Sequence, residues 1–131
     1  ADLGAGSGYF SFRLSPVVSS GKVLAVDIQP EMLAEIERKR ESLGATNIET
    51  VRGSATDPNL PDGSIDAALI VDAYHEFTHP REMMQALFED LVALPGVAAF
   101  STSRPPASTA RLMIHLQFSS SARSREPKSP R

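Results

Sequence analysis

The sequence predicts an α/β domain: a three-layer sandwich with a mostly parallel sheet, incomplete at both ends. Three observations predict it. Asp2-Leu3-Gly4-Ala5-Gly6-Ser7-Gly8 is a glycine-rich run of the kind that joins a buried strand to a helix. Short apolar runs alternate with helix-patterned stretches, which argues parallel strands covered by helices on both faces. Ala67 to Val71 is apolar throughout, as in a strand buried on both sides.

The elements follow in order. Asp2 and Leu3 are all that stands before the glycines, so the chain reads as a fragment of a domain. Tyr9 to Leu14 can form the helix after the loop, with Pro16 ending it. Val23-Leu24-Ala25-Val26 is a short buried strand that closes on Asp27. Pro30 suits a first helical position, and Gly44 suits a helix C-terminus. Between them Met32, Leu33, Ile36, Arg40 and Leu43 fall near one stripe, and Glu35, Glu37, Arg38, Lys39 and Glu41 read as a solvated face. Thr50 and Val51 give a short third strand. Asp57-Pro58-Asn59 and Pro61-Asp62-Gly63 are turns. The strand at Ala67 to Val71 leads to Asp72. Pro80 then opens a helix with Met84, Leu87, Phe88 and Leu91 on its apolar side.

Composition sets the outer bounds. The 131 residues suffice for one domain, and 41% hydrophobic content fits a globular one. There is no cysteine, hence no disulfide and no cysteine-ligated metal, and no metal site is expected. No apolar run approaches the roughly 18 residues that span a bilayer, and a cytoplasmic location is expected. Charge divides the chain. Residues 1–100 hold 7 basic and 15 acidic residues, and residues 101–131 hold 6 basic and 1 acidic. The acidic part is the wrong sign for a nucleic-acid surface. The partial core is therefore set at residues 1–96. Residues 97–131 are read as an atypical Ser-, Arg- and Pro-rich tail, frameshifted or disordered. Leu112, Ile114, Leu116 and Phe118 alternate there and can mimic a strand. Their Ser- and Arg-rich surroundings weigh against that stretch replacing a lost one.

The loop suits two ligand classes. A dinucleotide fingerprint wants G-x-G-x-x-G, but Tyr9 stands at its last position, and Asp2 would repel a pyrophosphate. A cationic ligand suits Asp2 better. The D-x-G-x-G-x-G pattern resembles motif I of the class I S-adenosylmethionine-dependent methyltransferases. The resemblance continues through Val23–Leu33, Asn47–Ala55 and Leu60–Phe77, four blocks in order over residues 1 to about 95. The Tyr74-His75-Glu76-Phe77 version of the last block is similar to bacterial small-molecule methyltransferases.

The resemblance implies a Rossmann-like fold, S-adenosylmethionine as the methyl donor and a small-molecule acceptor. It implies that Gly4, Ala5, Gly6 and Gly8 lie against the donor and that Asp2 binds its ammonium group. Asp27 would hold the ribose hydroxyls. Ile28 would lie on the adenine, and Ser54-Ala55 would face its other edge. Asp72 would stand where donor and acceptor meet, with His75 as a candidate general base. The structural readings stay open beside these: Asp2 tying its own loop, Asp27 capping the following helix, His75 and Glu76 as ordinary loop residues. At the level of function a nicotinamide-dependent oxidoreductase and a non-catalytic remnant also stay open. No Asn-Pro-Pro-Tyr-like tetrapeptide follows the fourth strand, which argues against amino-methylation of DNA bases.

Overall fold

Val23 to Val26 offers no polar residue to either side, and it becomes an inner strand covered on both faces. The computed structural model describes residues 1–18 and 20–91, and the backbone of 111–115. Its strands are β1 (Asp2–Leu3), β2 (Val23–Asp27), β3 (Ile48–Arg52), β4 (Ala67–Val71) and β5 (Arg111–His115). They form one sheet in the order β3-β2-β1-β4-β5, parallel throughout. Asp2 stands in register with Ala25 on one side and Leu69 on the other.

The helices are α1 (Ser11–Leu14), α2 (Pro30–Leu43) and α3 (Pro80–Asp90). Alternation along the strands sorts them into layers. Val23 and Ala25 point to one face, where they pack with Leu33 and Ile36 of α2 and with Phe12 and Leu14 of α1. Leu3, Val26, Ala68 and Ile70 point to the other, against Met83 and Leu87 of α3. The result is a three-layer sandwich. Ile36, Ile48 and Leu87 are fully buried and anchor the two outer layers.

Several local features follow the chemistry of the chain. Pro30 and Pro80 both open helices, where a missing N–H costs nothing. Gly44 ends α2 in the left-handed conformation at φ 63°, and Ala45 N–H closes the turn on the Arg40 carbonyl at 3.0 Å. Asn47 pins the α1 layer to the sheet edge. Its Nδ2 donates to the carbonyls of Ser15 and Val18, both at 2.9 Å, and its Oδ1 accepts from Ser15 Oγ. Asn47→Ala is expected to cost about 2–3 kcal/mol, because three bonds go and two carbonyls lose their donor. A shift in the urea midpoint at unchanged slope checks this.

The structure corrects the sequence reading at four places. The first helix starts at Ser11, and Tyr9 and Phe10 stay in the turn. The third strand runs five residues from Ile48, longer than Thr50-Val51. On α2 the apolar stripe stops short of Leu43, which is 68% exposed at the last helical position. On α3 the most buried methionine is Met83, with Met84 packing at the margin.

A fifth difference concerns the basic stretch. Arg111–His115 pairs with β4, from Ala67↔Arg111 to Val71↔His115. β4 otherwise leaves a row of unpaired N–H and C=O groups on that side, and a chain segment of alternating character can supply the partner. Residues 111–115 thus stand beside β4, where the sequence reading weighed against a strand. The reading of the rest of the tail as frameshifted or disordered falls on residues 97–110 and 116–131, outside the described residues.

Candidate functional site

The sheet reverses its winding between β1 and β4. β1 leads to β2 and β3 on one side, and the chain then crosses to β4 on the other. The connections leaving β1 and β4 therefore diverge, and a crevice opens above their carboxyl ends. A cavity of about 410 Å³ lies there. That volume falls within the range of small-ligand pockets.

The glycine loop forms one wall. Gly4 and Ala5 both donate to the Val26 carbonyl, at 2.9 and 3.0 Å, so the loop is tied to the neighbouring strand as it leaves β1. Gly4, Gly6 and Gly8 all have positive φ, at 74°, 53° and 84°. The three glycines answer three different needs. A Cβ on Gly4 would overlap the Cβ of Ala73, two residues past β4, so this glycine permits close passage of two chain segments. A Cβ on Gly8 would come within 2.8 Å of the Phe12 ring and 3.0 Å of Ile36, so Gly8 serves packing beneath the loop. A Cβ on Gly6 would meet nothing within 4 Å, and Gly6 lines the cavity.

Asp27 forms the next part. It is only 8% exposed, yet it reaches the cavity. Its Oδ2 accepts from Gly6 N–H at 2.8 Å, and its Oδ1 accepts from Gln29 N–H at 2.9 Å. One carboxylate thus fixes both the glycine loop and the entry to α2. It retains capacity, since two carboxylate oxygens offer about four lone-pair positions. Ile28, half exposed, and Gln29 and Met32 continue this wall. Ser54 and Ala55 close another side. The Ser54 hydroxyl is engaged locally, accepting from Asp57 N–H at 3.0 Å, so this side is shaped by a tight turn.

The β4 side is acidic and strained. Asp72 sits at φ 52°, a left-handed value that a non-glycine residue adopts at a cost of about 1 kcal/mol or more. A single 3₁₀ turn, Tyr74–Glu76, follows it. Asp72 and Glu76 line the cavity, with Phe77, Thr78 and Met83 beside them. The His75 ring stands at the rim, 3.7 Å from Asp72 and 3.9 Å from Glu76, with its side chain 64% exposed. The charged residues of the lining are Asp27, Asp72 and Glu76. No lysine, arginine or histidine joins them among the described residues.

The sequence reading placed Gly4, Gly6, Asp27, Ile28, Ser54, Ala55 and Asp72 at one site, and all seven line this cavity. Four others lie elsewhere. Asp2 is 2% exposed and faces the α1 layer, where Ser11 Oγ donates to it at 2.6 Å. Burial pushes the Asp2 carboxyl above its ordinary pKa, and the Ser11 bond pulls it back. It faces away because side chains alternate along β1: Leu3 takes the α3 face, which leaves Asp2 the other. Ala5 is buried in the α2 layer, Gly8 is a packing glycine, and His75 lies outside the lining. Sequence reasoning assigned no ligand role to Gln29, Met32, Glu76, Thr78 or Met83. The two methionines look like core from their spacing, and the Thr78 and Glu76 positions depend on a 3₁₀ turn that no periodicity announces.

A parallel sheet with a glycine loop and an acidic strand tip at its switch point defines a nucleoside-binding α/β domain. The family model described as "Methyltransferase domain" matches residues 1–93, and the chain belongs to that family. It is 34% identical over 85 residues to an uncharacterised methyltransferase-like protein of Schizosaccharomyces pombe, covering 64% of this chain and 30% of that one. It is 25% identical over 117 residues to a demethylmenaquinone methyltransferase of Thermus thermophilus, covering 89% of this chain and 53% of that protein. Among solved structures, a SAM-dependent methyltransferase from Aquifex aeolicus superposes with a TM-score of 0.68 at 27% identity, over 80% of this chain and 60% of that one. The chain thus spans from under a third to about half the length of these curated relatives.

Proposed function

We propose that this domain binds S-adenosylmethionine in the switch-point cavity and takes part in methyl transfer to a small organic acceptor. The observation that carries the reading is the lining: an open Gly6 facing three carboxylates, with no cation beside them among the described residues. Such a site favours a ligand bearing sulfonium and ammonium charges over one bearing a pyrophosphate. This is the ground for preferring methyl transfer to hydride transfer from a nicotinamide.

S-adenosylmethionine supplies an activated methyl group, so the protein has chiefly to bind, align and exclude water. In this reading the free lone pairs of Asp27 accept the ribose hydroxyls. Ile28 lies on one face of the adenine, and the Ser54-Ala55 turn stands at its edge. The backbone at Gly4 and Gly6 borders the ribose and methionine parts. Asp72, at the carboxyl end of β4, faces the reacting centre, and Glu76, Phe77 and Met83 bound the acceptor's side. The carboxylates of Asp72 and Glu76 favour a neutral or cationic acceptor. His75, at the rim between them, is positioned to receive a proton from an acceptor hydroxyl or amine that enters there. A demethylmenaquinone methyltransferase among the relatives is consistent with a small organic acceptor. No described helix is long and apolar enough to cross a membrane. Among the described residues no group of three or more His, Cys, Asp or Glu side chains could hold a metal ion.

Calorimetric titration with S-adenosylmethionine and with NAD tests the reading. The first is expected to bind and the second to give no heat. Asp27→Ala is expected to weaken donor binding at least tenfold, because a charge-assisted contact contributes about 1.5–3 kcal/mol and the loop loses its anchor at Gly6. Binding of NAD alone would return the domain to the oxidoreductase reading. Unchanged donor affinity in the variant would show that Asp27 does not hold the ribose.

A further inference from the structure

α2 carries a lysine whose ammonium group leaves its own helix. Lys39 Nζ stands 2.7 Å from Glu35 Oε1, one turn back, and donates to the Ser7 carbonyl at 3.2 Å. The first contact is an ordinary surface pair, worth a few tenths of a kcal/mol. The second is different in kind. It joins residues 32 positions apart, and it ends on the glycine loop between Gly6 and Gly8.

That loop needs outside restraint. Three of its five residues are glycines at positive φ, which gives it more conformational freedom to lose than any other segment of this length. Its base is held where Gly4 and Ala5 bond to Val26. Its cavity side is held by Asp27 at Gly6. Its outer side is held by Lys39 at Ser7. α2 also supplies Ile36, which lies directly beneath Gly8, and Met32, which lines the cavity beside Gln29. One helix therefore sets the height of the loop and supplies part of the cavity wall.

We infer that Lys39 is a positioning residue for the donor site: its ammonium clamps the Ser7 carbonyl and keeps Gly6 presented to the cavity, without touching the ligand. The inference rests on the reading of the cavity as an S-adenosylmethionine site. Glu35 steers the clamp, and the Lys39 hydrogen bond in turn holds the Glu35 carboxyl below its ordinary pKa. The side chains of Lys39 and Glu35 are 42% and 37% exposed, so replacing either leaves the two apolar layers intact.

The test compares Lys39→Met with Lys39→Arg and Glu35→Gln. Two quantities are read: S-adenosylmethionine affinity by calorimetry, and amide hydrogen exchange at residues 6–8 in the ligand-free protein. Lys39→Met is expected to weaken donor binding about three- to tenfold and to speed exchange at those amides by a similar factor. Its melting temperature should stay within a few degrees of the parent. Lys39→Arg, which can still reach the carbonyl, is expected to restore both quantities. Glu35→Gln should give a smaller loss of the same kind. Parent-like affinity and parent-like exchange in Lys39→Met overturn the clamp. If the parent protein itself binds no S-adenosylmethionine, the donor reading fails, and the exchange rates still decide whether Lys39 orders the loop.

Discussion

Gly4→Ala is expected to destabilise the domain by about 3 kcal/mol or more, and Gly6→Ala by only about 1–2, although both glycines sit in one loop at positive φ. The shared part is backbone strain, since alanine tolerates the left-handed region poorly. The difference is space. At position 4 the new methyl would overlap Ala73, which is itself buried just past the end of β4, so the segments leaving β1 and β4 must move apart. At position 6 the methyl enters the open cavity. The functional ranking is expected to reverse. Gly6→Ala should remain folded and lose at least tenfold in S-adenosylmethionine affinity, because its methyl occupies ligand space. Gly4→Ala should lose binding only as it unfolds. Urea melts read the first ranking, and titrations on the folded fraction read the second. A folded Gly6→Ala protein with parent-like affinity would place the ligand elsewhere in the cavity.

The same loop shows how far sequence alone reaches. Its glycines announce a turn that only glycine can make, and the order of apolar runs announces the parallel sheet. Those signals suffice to bring seven of the anticipated residues into one cavity. What they do not carry is which way a side chain faces. Asp2 reads as a ligand contact because it is charged and near the glycines. Its side is set by alternation along a two-residue strand, and Leu3 claims the α3 face. The place of His75 is hidden for a related reason. The turn at Tyr74–Glu76 rotates successive side chains by about a third of a revolution, which brings Glu76 to the cavity and leaves His75 at the rim. Lys39 is indistinguishable from Arg38 in a helical pattern, and only the fold reveals that Ser7 lies within its reach. β5 is hidden by composition: a serine- and arginine-rich neighbourhood argues for a solvated tail, whereas an unfilled ladder on β4 is a property of the assembled sheet.

Asp90 is expected to make the domain less stable as pH rises through the range from about 4 to 6. It is 3% exposed at the end of α3, and its Oδ2 is buried without a hydrogen-bond partner among the described residues. Burial raises its pKa from 3.8 to about 6, and the neighbouring charges of Asp57, Asp62 and Glu89 push in the same direction. The helix adds to this, since α3 has no basic residue in its last turn and its C-terminal end already carries partial negative charge. In the unfolded chain the group titrates as an ordinary aspartate. Between the two pKa values the folded state therefore holds more protons than the unfolded state. Stability must then fall as pH rises across that window, and the full penalty is present above it. Asp90→Asn removes the charge while keeping the shape. It is expected to stabilise the domain by about 2–3 kcal/mol at pH 7.5, since each tenfold difference in proton affinity between the two states corresponds to about 1.4 kcal/mol. It should change little at pH 3.5, where the carboxyl is largely protonated in both states. Urea denaturation of parent and variant at the two pH values measures the difference. An equal gain at both would mean that packing, not the buried charge, is what the substitution relieves.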